Sequence, residues 1–356
     1  MAATIYDIAR EAKVGIGTVS RVLNNSPKVT QQTRDRVISV ASRLNYQPHA
    51  FAQALARKRS NTLGAIIPFF TNYFFIEVLK GIQDALLNLG YDLILHGVNH
   101  RDQINEYIRK NLKKGRIDGL LFFSMPFPDT FVEVIKQEEI PVIVIDYFHP
   151  SFDCICVKNT EGAMVATQHL ISLGHTDIGM INANITSEPA KDRLSGFKET
   201  LSHQNLQIRD EIIVSSISRK QDGFSRDSGY TSMKEILSKK VKLPTAFFVS
   251  SDIQAIGVIS ALAEEGIRVP DDVAVVSFDD IELARHFELT TMRQPMYDMG
   301  VMAVEKLIDR IKNPGTPPTL TTILPKLIVR KSCGARKSEH AEFIDHNTLY
   351  SSEIEK

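Results

Sequence analysis

TIYDIAREAKVGIGTVSRVLNNSPKVTQQTRDRVISVASRLNYQP, residues 4–48, is the stretch that decides the fold. Within it Ile5, Ile8, Ala9, Ala12, Val14, Val19, Val22, Leu23, Val37, Ile38, Ala41 and Leu44 recur at helical spacing, enough for one small core. The pattern predicts three short helices, over Ile5–Glu11, Gly17–Asn24 and Gln31–Leu44. Thr4 and Thr30 are placed to cap the first and third, Gly15 to open the turn into the second, and Asn45 to stop the third in the left-handed region. Pro48 then breaks the chain. The segment that follows, HAFAQALAR at 49–57, is Ala-rich and helix-prone but too short to be a stable helix alone in water.

Outward from this head the texture changes. From Thr62 short apolar runs alternate with amphipathic stretches, a rhythm that implies parallel strands covered by helices. Strands are expected at Leu63–Pro68, Asp92–Gly97, Gly119–Ser124, Val142–Asp146, Ile155–Lys158, Ile178–Asn182, Ile212–Ser215, Ala246–Ser250 and Val273–Phe278. Helices are expected at Phe75–Leu89, Gln103–Lys114, Thr130–Gln137, Gly162–Leu173, Asp192–Gln204, Ser228–Lys239 and Ile253–Glu265. So many parallel strands exceed one comfortable sheet, which predicts two subdomains of similar build divided near Tyr147–Asp153. Tyr297–Ile311 and Thr321–Arg330 are left over and are expected to cross back between them. The end of the chain, Ala335–Lys356, is polar, has no leucine heptad and reads as a frayed tail.

With 356 residues, 43% of them hydrophobic, the chain is long enough for two or three packed domains. No run approaches the roughly 20 consecutive apolar residues of a membrane helix, and the N-terminus carries charges where an export signal needs an apolar run. A cytoplasmic protein without a membrane partner is therefore expected. Cys154, Cys156 and Cys333 are too few for a disulfide framework. Cys154 and Cys156 are expected to alternate across a strand as ordinary core or edge residues. No His/Cys spacing resembles a zinc site, and no cofactor is expected.

The net charge is zero, but it is not evenly spread. Residues 1–60 hold ten Lys/Arg against three acids, a charge of +7, whereas the remaining 32 basic and 39 acidic residues leave −7. A basic head on an acidic body fits a head that binds a polyanion.

The head's motif, Y-D-I-A-x-x-A-x-V-x-x-x-T-V-S-R-V-L-N at 6–24, then T-R-x-R-V at 33–37 and L-N-Y-x-P at 44–48, resembles the lactose/galactose repressor family. The resemblance runs on to about Cys333. It implies a small all-α helix-turn-helix domain (1–45), a hinge (46–60) and an α/β periplasmic-binding-protein-like (type I) sensor of two parallel-sheet subdomains (61–334), with 335–356 as a tail. The function it implies is a transcriptional repressor of carbohydrate-utilisation genes. Such a protein binds a palindromic operator in double-stranded DNA as a homodimer and is controlled by a small-molecule effector, a sugar or a derivative, in the cleft between subdomains.

Residue chemistry supports the DNA half of this expectation. A helix beginning at Gly17 presents its orphan N–H groups and positive dipole end to a major groove. Thr18, Ser20 and Asn24 are short hydrogen-bonders, and Arg21 has the planar fork that reads guanine O6 and N7. The resemblance adds Thr4, Tyr6 and Thr33 as DNA contacts and puts the family's discriminating positions at Ile16 and Gly17. Since Gly17 has no side chain, readout there is expected through backbone approach and through a thymine methyl against Ile16. In the hinge, Ala52 and Leu55 match a leucine pair that wedges between base steps of the minor groove.

For the sensor, PFFTNYFF at 68–75 ends the first strand and opens a helix, where open α/β sheets bind ligands. Tyr73 and Phe74 can stack on a sugar face, while about half of the loop's phenylalanines are expected in the core. The segment D-R-L-S-G-F at 192–197 resembles the family's effector-binding arginine motif and puts Arg193 in the cleft. Ser251 and Asp279 close strands at their carboxyl ends, and with Arg193 give paired acceptors and bidentate donors. Family members often carry Asn where this chain has Ser251. Asp146 and Phe224 also map to effector positions.

Two other classes fit the sequence less well. A glycosidase needs an acid/base pair at a defined separation, which nothing in the sequence specifies, and a transporter's sugar-binding protein needs export. No enzymatic activity is expected. The charge asymmetry yields a first test: the logarithm of the affinity for operator DNA should fall by about 0.9 per phosphate neutralised as the logarithm of salt concentration rises. A flat salt response in fluorescence anisotropy would remove the phosphate-gripping head.

Overall fold

The computed structural model describes residues 3–23, 26–46, 60–98, 104, 116–126 and 129–335. Asn24, nearly all of the hinge with Ala52 and Leu55, most of the helix expected over Gln103–Lys114 and the tail beyond Ala335 lie outside the described residues. The chain divides into two compact units, Met1–Ser60 and Asn61–Lys356.

In the first unit, helices α1 (Ile5–Ala12), α2 (Ile16–Leu23) and α3 (Gln31–Arg43) close over Ile8, Ala12, Val19, Val22, Val37 and Val40. Thr4 caps α1 in a capping box: the Asp7 N–H donates to Thr4 Oγ1, and the Thr4 N–H donates back to the Asp7 carboxylate at 3.0 Å. Lys13, left-handed at φ 53°, stops α1 and turns the chain into α2. Thr30 differs from the expectation. It occupies the N-cap position of α3, but its hydroxyl donates to Thr33 Oγ1 at 3.0 Å rather than capping. The loop before α3 is held instead by Arg34, whose Nη2 donates to the Ser26 carbonyl at 2.6 Å.

The second unit contains two six-stranded sheets. The first runs β11-β5-β4-β3-β1-β2, with β1 (Thr62–Ile67), β2 (Asp92–Gly97), β3 (Gly119–Phe123), β4 (Val142–Ile145), β5 (Asp153–Val157) and β11 (Leu320–Ile323) all parallel. The second runs β12-β10-β9-β8-β6-β7, from β6 (Ile178–Asn182), β7 (Ile213–Ser215), β8 (Ala246–Val249), β9 (Ala274–Asp279), β10 (Thr290–Arg293) and β12 (Lys326–Ile328), the last antiparallel. The strands β1, β3, β4, β6, β8 and β9 are apolar and buried nearly throughout, as both faces of a covered parallel sheet demand. Each sheet reverses its order beside its first strand, which opens a crevice at the carboxyl ends of the strands.

The chain passes between lobes three times, after Val157, at Gln294–Pro295, and at Leu324–Pro325. The first crossing lies later than the Tyr147–Asp153 divide suggested by the sequence, because β5 still pairs with β4. Three strands escaped the reading, β10, β11 and β12. β10 carries Thr290 and Thr291, buried but polar, and β11 and β12 lie almost wholly in the Thr321–Arg330 segment that was expected only to cross back between the subdomains. Cys154 and Cys156, two residues apart on β5, share one face and pack with Phe122 and Val144, while Ile155 turns to the opposite core. They do not point to opposite sides.

Helices α4 (Tyr73–Leu86), α5 (Asp129–Glu138), α6 (Asn159–Ser172), α7 (Glu188–His203), α8 (Arg226–Ser238), α9 (Asp252–Glu264), α10 (Glu282–His286) and α11 (Met296–Lys312) cover the sheets. α11 follows a strand of the second lobe yet packs on α4, β3 and β4 of the first, so the chain re-enters the first lobe through it. The two backbones meet at paired glycines: a Cβ on Gly81 would lie 2.0 Å from the Tyr297 carbonyl oxygen, and one on Gly300 2.1 Å from that of Val78. Gly81→Ala should therefore force the helices apart and destabilise the chain by about 1–3 kcal/mol, read as a lower urea midpoint. An unchanged midpoint would contradict this packing.

Candidate functional site

Two separate surfaces hold the residues singled out above. On the first unit, the exposed side of α2 carries Ile16, Gly17 and Arg21, with Thr18 and Ser20 half-buried beside them and Val19 and Val22 turned to the core. Ile16 is 43% exposed although apolar, and nothing lies within 4 Å of where a Gly17 Cβ would sit. The Arg21 side chain makes no hydrogen bond or ion pair among the described residues and is exposed. The first turn of α2 leaves N–H groups without intrahelical partners. On the same unit Tyr6 is 67% exposed, Thr4 is exposed with its hydroxyl spent on the cap, and Thr33 is half-buried against Thr30.

On the second unit, a cleft at the carboxyl ends of both sheets is lined from the first lobe by Tyr73, Phe74, Ser124 and Asp146, and from the second by Arg193, Asp222, Phe224, Asp279 and Gln294. Local structure explains each placement. Asn72 caps α4 by accepting the Phe74 N–H at 2.9 Å, which fixes Tyr73 and Phe74 on the first turn. Phe74 and Phe75 are buried and meet edge to face, while Phe70 is exposed, close to the expected half-and-half division. Ser124 and Asp146 follow the last residues of β3 and β4 with positive φ, 42° and 58°, and Asp279 ends β9 at φ 116°.

Arg193, 4% exposed on α7, is the centre of the cleft. Its Nε donates to Asn159 Oδ1 at 2.9 Å, its Nη1 to the Ser250 carbonyl, and its guanidinium carbon sits 3.8 Å from the centre of the Phe278 ring and 5.7 Å from that of Phe224. Asp279 Oδ1 is 3.6 Å from Nη1. The expected free bidentate fork is thus largely occupied by the protein itself, because a buried guanidinium must be satisfied internally. Ser251 does not line the cleft. It is buried as the N-cap of α9, with its hydroxyl engaged by Gln254.

Three lining residues went unnoticed in the sequence. Ser124 shares with Asp146 the position just past a parallel strand, and that rule could have found it. Gln294 follows β10, which was not recognised, and Asp222 lies in a short 3-10 turn without any sequence signature.

Burial pushes the Asp146 carboxyl up to about 6, against the opposing pull of Arg193 and of the Ser124 hydroxyl that donates to it at 2.9 Å. Burial also raises Asp279, and burial with the charge of Asp279 raises Asp252 beneath it. Among the described residues, no group of three His, Cys, Asp or Glu could hold a metal ion, and no helix is long and apolar enough to cross a membrane.

A three-helix head joined to two such lobes defines a DNA-binding regulator with a periplasmic-binding-protein-like module. Residues 4–49 match the model of bacterial regulatory proteins, lacI family, and residues 167–333 that of the periplasmic binding protein-like domain. Catabolite control protein A of Priestia megaterium is 33% identical over 334 residues, 92% of this chain and 98% of that protein. The HTH-type transcriptional repressor PurR of Histophilus somni (strain 129Pt) is 33% identical over 336 residues, 93% and 98% of the two chains. Among solved structures, the lac repressor dimer bound to operator and the anti-inducer ONPF superposes with a TM-score of 0.80 at 26% identity, covering 94% of this chain and 100% of that one. The transcriptional regulator CelR–cellobiose complex gives 0.68 at 27% identity, over 93% and 99%. The chain belongs to the lacI family of bacterial regulatory proteins and is a transcriptional regulator.

The raised carboxyl gives a pH prediction. Above its unfolded pKa of 3.8 an Asp146 that titrates near 6 holds its proton more tightly in the folded chain, so its burial costs stability at neutral pH and that cost vanishes as pH falls through 6 towards 4. Asp146→Asn should raise the thermal midpoint by a few degrees at about pH 7.5 and by nothing near pH 4. An equal gain at both pH values would mean that the carboxyl is ionised without penalty.

Proposed function

We propose that this regulator is a cytoplasmic repressor of carbohydrate-utilisation genes that binds a palindromic operator as a homodimer and is controlled by a sugar or sugar derivative in the cleft. The observation that carries this reading is the cleft itself. Aromatic side chains (Tyr73, Phe74, Phe224) line it together with polar groups (Asp146, Arg193, Asp279), the combination that holds the apolar face and the hydroxyl edge of a sugar. Similarity to a structure with cellobiose and to a regulator from Enterococcus faecium with bound ribose supports the same ligand class.

For DNA, the exposed face of α2 is the reading surface in this proposal. Arg21 makes direct guanine readout, Ile16 meets a thymine methyl, and Gly17 lets the backbone approach. Thr4, Tyr6, Thr18, Ser20, Asn24 and Thr33 add phosphate or base contacts, and Ala52 with Leu55 forms the hinge wedge. Two recognition helices related by a twofold axis would read half-sites one turn apart, which is why the operator is proposed to be palindromic.

A thermal-shift screen of the purified chain with sugars, nucleobases and sugar phosphates tests the ligand class, since a ligand that binds only the folded state raises its midpoint. Shifts with nucleobases alone would overturn the sugar reading. Arg21→Ala should cost about 1–3 kcal/mol against the preferred operator and relax discrimination at one base pair per half-site, with sugar shifts unchanged. A loss equal on all sequences would instead make Arg21 a phosphate clamp.

A further inference from the structure

The charges and hydrogen-bonding groups of the cleft do not balance. Among the described residues that line it, Arg193 is the only cationic side chain, and Asp146, Asp222 and Asp279 are three carboxylates. Arg193 keeps only part of its fork for a ligand, because its Nε and Nη1 already donate to Asn159 and Ser250 and its face lies on Phe278, which leaves Nη2.

Gln294 points the same way from an independent direction. Its Nε2 donates to Asp279 Oδ1 at 2.6 Å, and a carboxylate can only take the NH₂ end, which fixes the amide's orientation. That leaves Gln294 Oε1 buried without a hydrogen-bond partner, in a residue 3% exposed that lines the cleft. A buried acceptor left unsatisfied is costly, and a ligand N–H or O–H directed at it removes the cost.

Asp222 supplies the third carboxylate. Its side chain makes no hydrogen bond or ion pair with any described residue, and burial raises its pKa. Its backbone is held firmly: its carbonyl accepts from the Asn184 N–H at 2.8 Å, and Gln221 and Asp222 are both left-handed, at φ 52° and 49°. Gly223 follows at φ 80°, where a Cβ would come within 2.9 Å of the Asn184 nitrogen. The Gln221 amide also donates to Thr71 Oγ1 of the first lobe at 2.8 Å, so the turn is tied across the mouth of the cleft.

A site with three carboxylates, an orphan amide oxygen and one cation, itself partly engaged by the protein, has acceptors in excess and negative charge in excess. It repels a phosphate and leaves an uncharged polyol with carboxylates still uncompensated. We propose that the cleft takes a polyhydroxylated ligand bearing a protonated amine, an amino sugar, with Asp222 and Gln294 setting that preference. This rests on the sugar-sensing reading above.

The test is a calorimetric and thermal-shift panel on the full chain at neutral pH: glucosamine, galactosamine and mannosamine beside their neutral parents and the corresponding 6-phosphates. The expected result is that one amino sugar binds on the order of tenfold tighter than its neutral parent, with the 6-phosphate weakest. Asp222→Asn, an isosteric change that the left-handed backbone accepts, should abolish that preference while the neutral parent sugar still binds. The proposal is overturned if the neutral sugar or its phosphate binds as well as the amino sugar, or if Asp222→Asn keeps the preference; sugar sensing would then stand without it. If operator binding is intact and no compound in the panel binds, both the amine preference and the sugar reading fall.

Discussion

The guanidinium of Arg193 is buried where α7 meets the carboxyl ends of β8 and β9, and the geometry of the cleft depends on how it is satisfied. Asn159, which accepts from its Nε, opens α6 directly after the first crossing of the chain. Ser250, which accepts from Nη1 through its carbonyl, also donates its hydroxyl to Gln254 and accepts the Ala183 N–H. Asp279 and Asp146 balance the charge from opposite lobes. A lone charge at that depth would cost far more than folding can supply, so these neighbours are required together. Phe278 supplies the floor, and its ring is kept close because Gly162 presents no Cβ, which would stand 2.8 Å from it.

The same cleft concentrates unusual backbone. Ser124, Asp146, Gln221, Asp222, Asp279 and Asp280 all have positive φ without being glycine. Such conformations persist only where surroundings over-determine them, and here the determinants are visible. Asp280 is fixed by Arg293 and Arg330, both at 2.6 Å, and Asp146 by Ser124. Turning a side chain back over the end of a strand is what brings carboxylates from separate strands to one point. Short polar Asp and Ser tolerate it best, which is why they stand there.

This explains what the sequence could and could not disclose. The helices of the head and most strands of both sheets follow from apolar periodicity, because covered parallel strands and small helical cores impose it locally. Tyr73, Phe74 and Asp279 sit at strand-to-helix junctions, which are legible positions, and Asp146, Arg193 and Phe224 came from the family resemblance. β10 was hidden because its buried residues are Thr290 and Thr291, whose hydroxyls are satisfied by partners distant in sequence: Thr291 donates to Asp252, and Thr290 to the Arg330 carbonyl. With β10 unseen, Gln294 just past its end was invisible too. Ser251 was misplaced into the cleft because a strand-terminal hydroxyl and a helix N-cap look the same in sequence, and only Gln254 three residues on distinguishes them. The Arg193 fork was read as free for the same reason, since its acceptors Asn159 and Ser250 lie 34 and 57 positions away.

Control of a two-lobed sensor requires that a ligand discriminate between lobe arrangements, because equal affinity for two states shifts nothing. The residues of the cleft satisfy that requirement by their distribution. Asp146 and the α4 aromatics belong to the first lobe, whereas Asp222, Asp279 and Phe224 belong to the second, so a ligand that touches both groups favours the arrangement in which they face each other. The lobes are also joined across the cleft by the Gln221–Thr71 hydrogen bond, an exposed contact of modest net worth. Apart from it, α11 is locked against α4 within the first lobe at Gly81 and Gly300. Gln294 stands between the two, at the crossing that leads into α11 and bonded to Asp279 in the cleft. A group bound at its free oxygen therefore acts directly on one of the three connections that run between the lobes.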